Sequence, residues 1–207
     1  MKQLISHLIK TNKSEIIKKS FLNCHVKGLH SIMLLDCPEK TIRMYITDKS
    51  HDLYKNFTTP NSLSFHPHHC ELTLHCIYGQ LTNICMRLEN EIQGNDCHYY
   101  DRWLYSSIIS NGEISFVKDG TDVLKKLAPE KIKESDSVYM KASDIHTVAC
   151  KKHTVNAWMV YEGKENKNYK PYAWSNSDLS NIDKSGLYIK PTFSQIYELF
   201  KSIGIYF

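Results

Sequence analysis

No apolar run in these 207 residues approaches the roughly 18 needed to span a bilayer. The N-terminal segment breaks its apolar residues with Lys, Ser and His every few positions, so it does not read as a secretory signal. No CxxC pair occurs among the seven cysteines, an odd set that argues against a disulfide framework or a zinc knuckle and for reduced thiols in the cytoplasm. Internal repeats and low-complexity linkers are missing, as is the βαβ alternation of a parallel doubly wound sheet. Net charge is only +4, and the Lys-rich patches at 10–19 and 164–170 read as solvated faces rather than a nucleic-acid footprint. Neither a nucleic acid nor a membrane is therefore expected as partner.

What is present is the composition of a packed domain, 42% hydrophobic and 11% aromatic, at a length below the roughly 250 residues where chains begin to split. One domain over 1–207 is expected, with helices in 1–30, a β-barrel in 31–165, and a loop and terminal helix in 166–207. Leu4, Ile5, Leu8 and Ile9, then Ile16 and Ile17, recur at helical spacing on either side of Thr11-Asn12. Short runs rich in β-branched and aromatic residues follow, separated by Asp36-Cys37-Pro38, Asn61-Ser62, Gly79, Gly94-Asn95, Asn111-Gly112 and Asp119-Gly120. Asn111-Gly112 is the clearest hairpin signal. Many short strands in one domain predict an all-β jelly-roll sandwich or barrel. Helical spacing returns through Phe193, Ile196, Leu199, Phe200 and Ile203, with Gly204 as the stop.

Four of the eleven histidines crowd into His66-Pro67-His68-His69 and His75. On a strand, residues two apart share a side, so His66 and His68 project two imidazoles toward one interior. His146, in a second strand-like segment, is the natural third donor. His69 and His75 have the opposite parity, although a slip of one residue would exchange His69 for His68. Cys70 and Cys76 read as core residues, and His153 as structural or as a support to the metal ligands.

The spacing of these histidines resembles the two cupin motifs. The first, G(X)5HXH(X)3-4E(X)6G, falls on Pro60, His66-Pro67-His68, Leu72 and Gly79; the second, G(X)5PXG(X)2H(X)3N, falls on Ser135, Lys141-Ala142-Ser143, His146 and Cys150. Within the cupins the chain looks most like the cysteine dioxygenase and thiol dioxygenase group, over roughly residues 43–161. That resemblance implies a cupin jelly-roll barrel with helices packed outside, holding one Fe(II) on His66, His68 and His146; Ni, Mn or Zn are the alternatives. Leu72 stands where the general motif has glutamate, with Glu71 one residue away as a candidate fourth ligand. The group's His-X-Tyr pair survives only as Met159-X-Tyr161, and the Cys that cross-links to tyrosine in some members would fall near Leu72 and is absent. Tyr161 is then the expected catalytic hydrogen-bond donor beside the metal, and Arg43 the group that grips a substrate carboxylate.

Three neutral imidazoles leave a ferrous ion its full charge and open positions, which favours an anionic substrate beside O2. The expected function is a metal-dependent oxygenase, a non-haem iron dioxygenase of the thiol-dioxygenase type acting on a small polar substrate, thiol or amino-acid-like. The alternatives are a metal-dependent cupin isomerase, lyase or hydrolase, for which Glu71 as ligand is the mark, or a non-catalytic ligand-binding cupin.

Overall fold

The computed structural model describes residues 1–38, 40–51, 65–108, 113–165, 169–181, 183 and 185–207. The turn signals at Asn61-Ser62 and Asn111-Gly112, and the motif position Pro60, lie outside the described residues. Two helices open the chain, α1 (Lys2–Thr11) and α2 (Lys13–Lys19), and they meet at Asn12 as the spacing predicts. Eleven strands follow among the described residues: β1 (Leu29–Cys37), β2 (Lys40–Thr47), β3 (Cys70–Tyr78), β4 (Gln80–Glu89), β5 (Cys97–Ile108), β6 (Glu113–Lys126), β7 (Glu130–Lys133), β8 (Ser137–Met140), β9 (Ile145–Cys150), β10 (Asn156–Glu165) and β11 (Tyr172–Ser175). The helix α3 (Phe193–Lys201) closes the fold, with Thr192 and Gln195 forming a capping box at its start and Gly204 at φ +73° just past its end.

One sheet runs β1-β2-β10-β3-β8, with its neighbours antiparallel. Opposite it, β4 pairs with both β7 and β9, and β9 pairs through His146 with the bridge residue His66. The order β2-β10-β3-β8 facing His66-β9-β4-β7 is that of a double-stranded β-helix, the cupin-type jelly roll, with both wound strands contributing to each sheet. Helices pack outside the barrel, as expected for this fold.

Alternation along the strands separates the two faces. Ile42, Met44 and Ile46 of β2, with Ala157 and Met159 of β10, join Ile5, Ile9 and Ile16 of the first two helices and Ile196 and Phe200 of α3 in one buried cluster. Leu72, Leu74, Cys76, Trp158 and Val160 point the other way, into the barrel, with Leu81, Ile132, Met140 and Cys150. Tyr45 and Trp158 stack there, with centroids 5.4 Å apart.

At the base of the barrel, Gly79 turns β3 into β4 at φ +83°. A Cβ there would lie 2.4 Å from the Oδ1 of Asn156, the same oxygen that accepts from the Gln80 N–H. Only glycine fits both the left-handed backbone and that approach.

Between β4 and β7 the chain inserts the long β5–β6 hairpin, which β11 extends. Two expectations need correction here. Asp119-Gly120 does not separate strands: β6 runs through it, with a register shift opposite Arg102/Trp103. The guanidinium of Arg102 lies over Gly120 and binds Asp119 and Asp122, which compensates the local break in the ladder. Residues 166–207, expected as a loop and terminal helix, also contain β11. All seven cysteines are free, and among the described residues no helix is long and apolar enough to cross a membrane.

Phe200 is fully buried beneath the sheet and packs edge-on against Phe207. Phe200→Ala should cost about 3–5 kcal/mol, seen in urea unfolding as a lower midpoint.

Candidate metal centre

His66 and His146 are directly opposite on neighbouring strands: the His66 N–H donates to the His146 carbonyl at 3.1 Å, and the His146 N–H returns the bond at 3.2 Å. This exchange places both side chains on one face. His68, two residues on, lies on the same side, and its own N–H bonds the Ala142 carbonyl at 3.0 Å. The three rings therefore converge, with centroids 4.9–5.8 Å apart. One ligand nitrogen from each lies within 4.8 Å of the others.

Tautomer and charge both suit metal binding. The Nδ1 of His146 is 2.6 Å from the Oδ1 of Asn83, which is 1% exposed. The Asn83 amide nitrogen faces the sulfurs of Cys85 and Met140, at 3.4 and 3.8 Å, so its oxygen accepts the Nδ1–H of His146. The Nε2 lone pair of His146 is left facing His68, whose Nε2 is 2.7 Å away. Two nitrogens at about 2.1 Å from one ion and at right angles stand about 3 Å apart, close to this spacing. Burial holds His146 well below the ordinary imidazole range, at about 3, with the His66 ring adding repulsion. Burial pushes His68 down as well, with further repulsion from His66 and His146. Three converging imidazoles, of which burial keeps His68 and His146 uncharged, are a donor set a divalent ion fits.

The other expected residues are placed differently. Tyr161 is on the helix-covered side of β10, with its hydroxyl 3.7 Å from the Met1 sulfur and its ring under the Lys40 ammonium; the structure does not bring it to the histidines. Arg43 lies on the inward side of β2, beside Tyr45, where it donates to the Ser31 hydroxyl at 2.8 Å and faces Glu162 at 3.8 Å. Glu71 is exposed and interacts with Tyr139 outside the barrel, so it is not a member of the three-histidine group. His69 is likewise outside that group. His153 occupies an exposed turn at φ +61°, bonded to the Lys49 carbonyl.

Two supporting residues were not anticipated. Asn83 could have been found as the polar residue next to Leu81 on the inward parity of β4, since a buried amide needs partners. Tyr169 bonds the Pro67 carbonyl at 3.3 Å and the Tyr105 hydroxyl at 2.6 Å, bracing the His-Pro-His segment from a distant loop; nothing local in sequence marks it. A surface groove of about 300 Å³ reaches His68 between Pro67, Ile145, Tyr169 and Trp174.

No protein-family model matches the chain, and no curated protein sequence matches it. Solved structures resemble it only remotely. An RmlC-like cupin with a double-stranded β-helix fold from Methanocaldococcus jannaschii is 12% identical at TM-score 0.34, over 70% of this chain and 86% of that one. The polyketide cyclase RemF from Streptomyces resistomycificus is 11% identical at 0.38, over 79% and 82%. Hydroxypropylphosphonic acid epoxidase from S. wedmorenis is 8% identical at 0.39, over 70% of this chain and 56% of that one. The fold assignment therefore stands on the strand pairing described above. The chain is a cupin-type β-helix barrel with a three-histidine group inside.

Asn83→Ala should weaken metal binding about 10–100-fold while leaving the fold intact, since it frees His146 to change tautomer; isothermal titration with Fe(II) or Co(II) reads this. Acid should destabilise the metal-free protein. The folded state keeps His68 and His146 neutral, so as pH falls below about 6.5 the unfolded chain takes up protons that the folded chain refuses. Stability is thus unaffected by these groups at pH 7 and falls progressively toward pH 5; His146→Gln should flatten that decline in urea unfolding series.

Proposed function

We propose that the chain is a metal-dependent oxygenase that holds ferrous iron on His66, His68 and His146 and acts with O2 on a small polar substrate. The observation that carries this reading is the convergence of three inward imidazoles in a group that contains no carboxylate. Bound there, Fe(II) supplies the redox capacity for O2 chemistry and, with only neutral ligands, an undiminished positive charge for an anionic substrate.

The chain's own residues supply orientation and enclosure. Asn83 holds His146 in one tautomer, and the carbonyl of Ala142 and the hydroxyl of Tyr169 anchor the two ends of the Pro67–His68 peptide unit. The stacked Tyr45 and Trp158, both on the inward face, exclude water from the interior. Arg43, also on that face, is the group we assign to an anionic part of the substrate, most simply a carboxylate. A thiol or amino-acid-like substrate is the narrower form of the proposal, because such a molecule offers an anionic donor to the metal and a carboxylate to arginine. Tyr161, pointing away, receives no part in it, and the exposed position of Glu71 removes the feature that marked the isomerase, lyase or hydrolase alternative.

The chain, reconstituted anaerobically with Fe(II), should bind one iron at this centre and consume O2 only when a suitable small thiol is supplied. His146→Ala should reduce that uptake at least ~100-fold, the order expected when a metal's contribution of several kcal/mol is lost, while Tyr161→Phe should leave it unchanged. Absence of iron binding, or O2 uptake equal in wild type and His146→Ala, overturns the proposal.

A further inference from the structure

A second group of donors lies one residue further along the chain. His69, immediately before β3, Cys70, its first residue, and Glu162 of β10 each bring one ligand atom within 4.8 Å of the others. Their meeting has a backbone cause. Along β3 and β10 the register advances two residues from Cys70 to Leu72 but three from Glu165 to Glu162, so β10 carries one extra residue at this level. That irregularity, between Glu162 and Glu165, leaves Glu162 opposite Leu72, close to where His69 and Cys70 lead into β3. Cys70 is 1% exposed, whereas His69 and Glu162 are half-buried, so a cation could enter from the solvent side and meet a sulfur shielded behind.

The donor set differs in kind from the three imidazoles. One nitrogen, one sulfur and one carboxylate oxygen form a mixed, softer set of the sort that favours Zn²⁺ over Fe²⁺ or Mg²⁺. Charge also balances: thiolate and carboxylate together neutralise a dication, the thiol proton passing to solvent on binding. Arg43 already pairs with this carboxylate, its guanidinium 3.8 Å from Glu162 and also bonded to Ser31, so a cation here shares or displaces that ion pair. Zinc ligands at about 2.0–2.3 Å from the ion lie about 3.5 Å apart, so closing on a metal takes movement on the order of 1 Å.

We propose that His69, Cys70 and Glu162 form a second metal site, of zinc type, with three protein ligands and a fourth position left for water. Its existence does not depend on the oxygenase reading. Because His68 and His69 are consecutive, occupancy of this site would also fix the strand parity that aims His68 inward.

Cobalt(II), a spectroscopic stand-in for zinc, tests this on the full chain after chelator treatment. Two equivalents are expected to bind, one of them with thiolate-to-cobalt charge-transfer absorption. Cys70→Ser should abolish that absorption and lower the affinity of that equivalent at least ~100-fold, beyond the loss expected for an outer partner; Glu162→Gln should weaken the site but keep the absorption. The double variant His66→Ala/His146→Ala should retain the thiolate signal while losing the other equivalent, which separates failure of one site from failure of the other. A native chain without thiolate absorption overturns the proposal, as does a signal that survives Cys70→Ser. Should Cys70→Ser fail to fold, X-ray absorption of the zinc-loaded His66→Ala/His146→Ala chain decides: one sulfur in the zinc shell supports the site, and a shell of nitrogen and oxygen alone overturns it.

Discussion

The two backbone hydrogen bonds between His66 and His146 are the closure on which the rest depends. They join the segment before β3 to β9 and thereby complete the second sheet of the barrel. The same bonds bring two imidazoles from distant parts of the chain face to face, since directly opposed residues in an antiparallel pair put their side chains on one side. Fold closure and the candidate metal centre are one event. His68 joins through the period-two alternation, and Asn83 follows because β4 is the other neighbour of β9. Its amide then settles which His146 nitrogen is free.

Parity on β10 governs what can take part in chemistry. Trp158 and Val160 face the interior, whereas Ala157, Met159 and Tyr161 face the helices. A tyrosine one residue either way would point at the barrel, and the difference between a ligand-side hydroxyl and a methionine-packed one is a single step in the chain. The helices enforce this choice. They bury Ile42, Met44 and Ile46 on β2 and the matching face of β10, so a slip of either strand would expose that apolar row and bury Arg43 among aliphatic side chains.

The β5–β6–β11 insertion supplies what the bare barrel lacks. Trp174 of β11 bonds Asp122 at 2.7 Å and its backbone pairs with Phe65, tying the insertion to the residue just before the His-Pro-His segment. Tyr105 of β5 reaches the same segment through Tyr169. The His-Pro-His segment is therefore held on both sides, by β9 within the barrel and by the insertion outside it. A ligand pair on an otherwise short bridge needs such bracing to keep its geometry.

Much of this was legible in the residues themselves. Periodicity alone marks the helices, because Ile5 and Ile9 share one face of α1 and are buried together, and it marks the strands that alternate cleanly. The His66, His68 and His146 spacing carried the candidate site, since two of its three members are related by strand parity and need no tertiary information. What local sequence does not contain is relative placement. Tyr161 and Arg43 sit in equally convincing strands, and only the packing of helices against one sheet face decided that the first points out and the second in. Asn83, Tyr169 and the meeting of Glu162 with Cys70 depend on strand neighbours and on a bulge far apart in the chain. Hydrogen bonds and side-chain packing between distant segments form only when the barrel closes, and no short stretch of sequence encodes them.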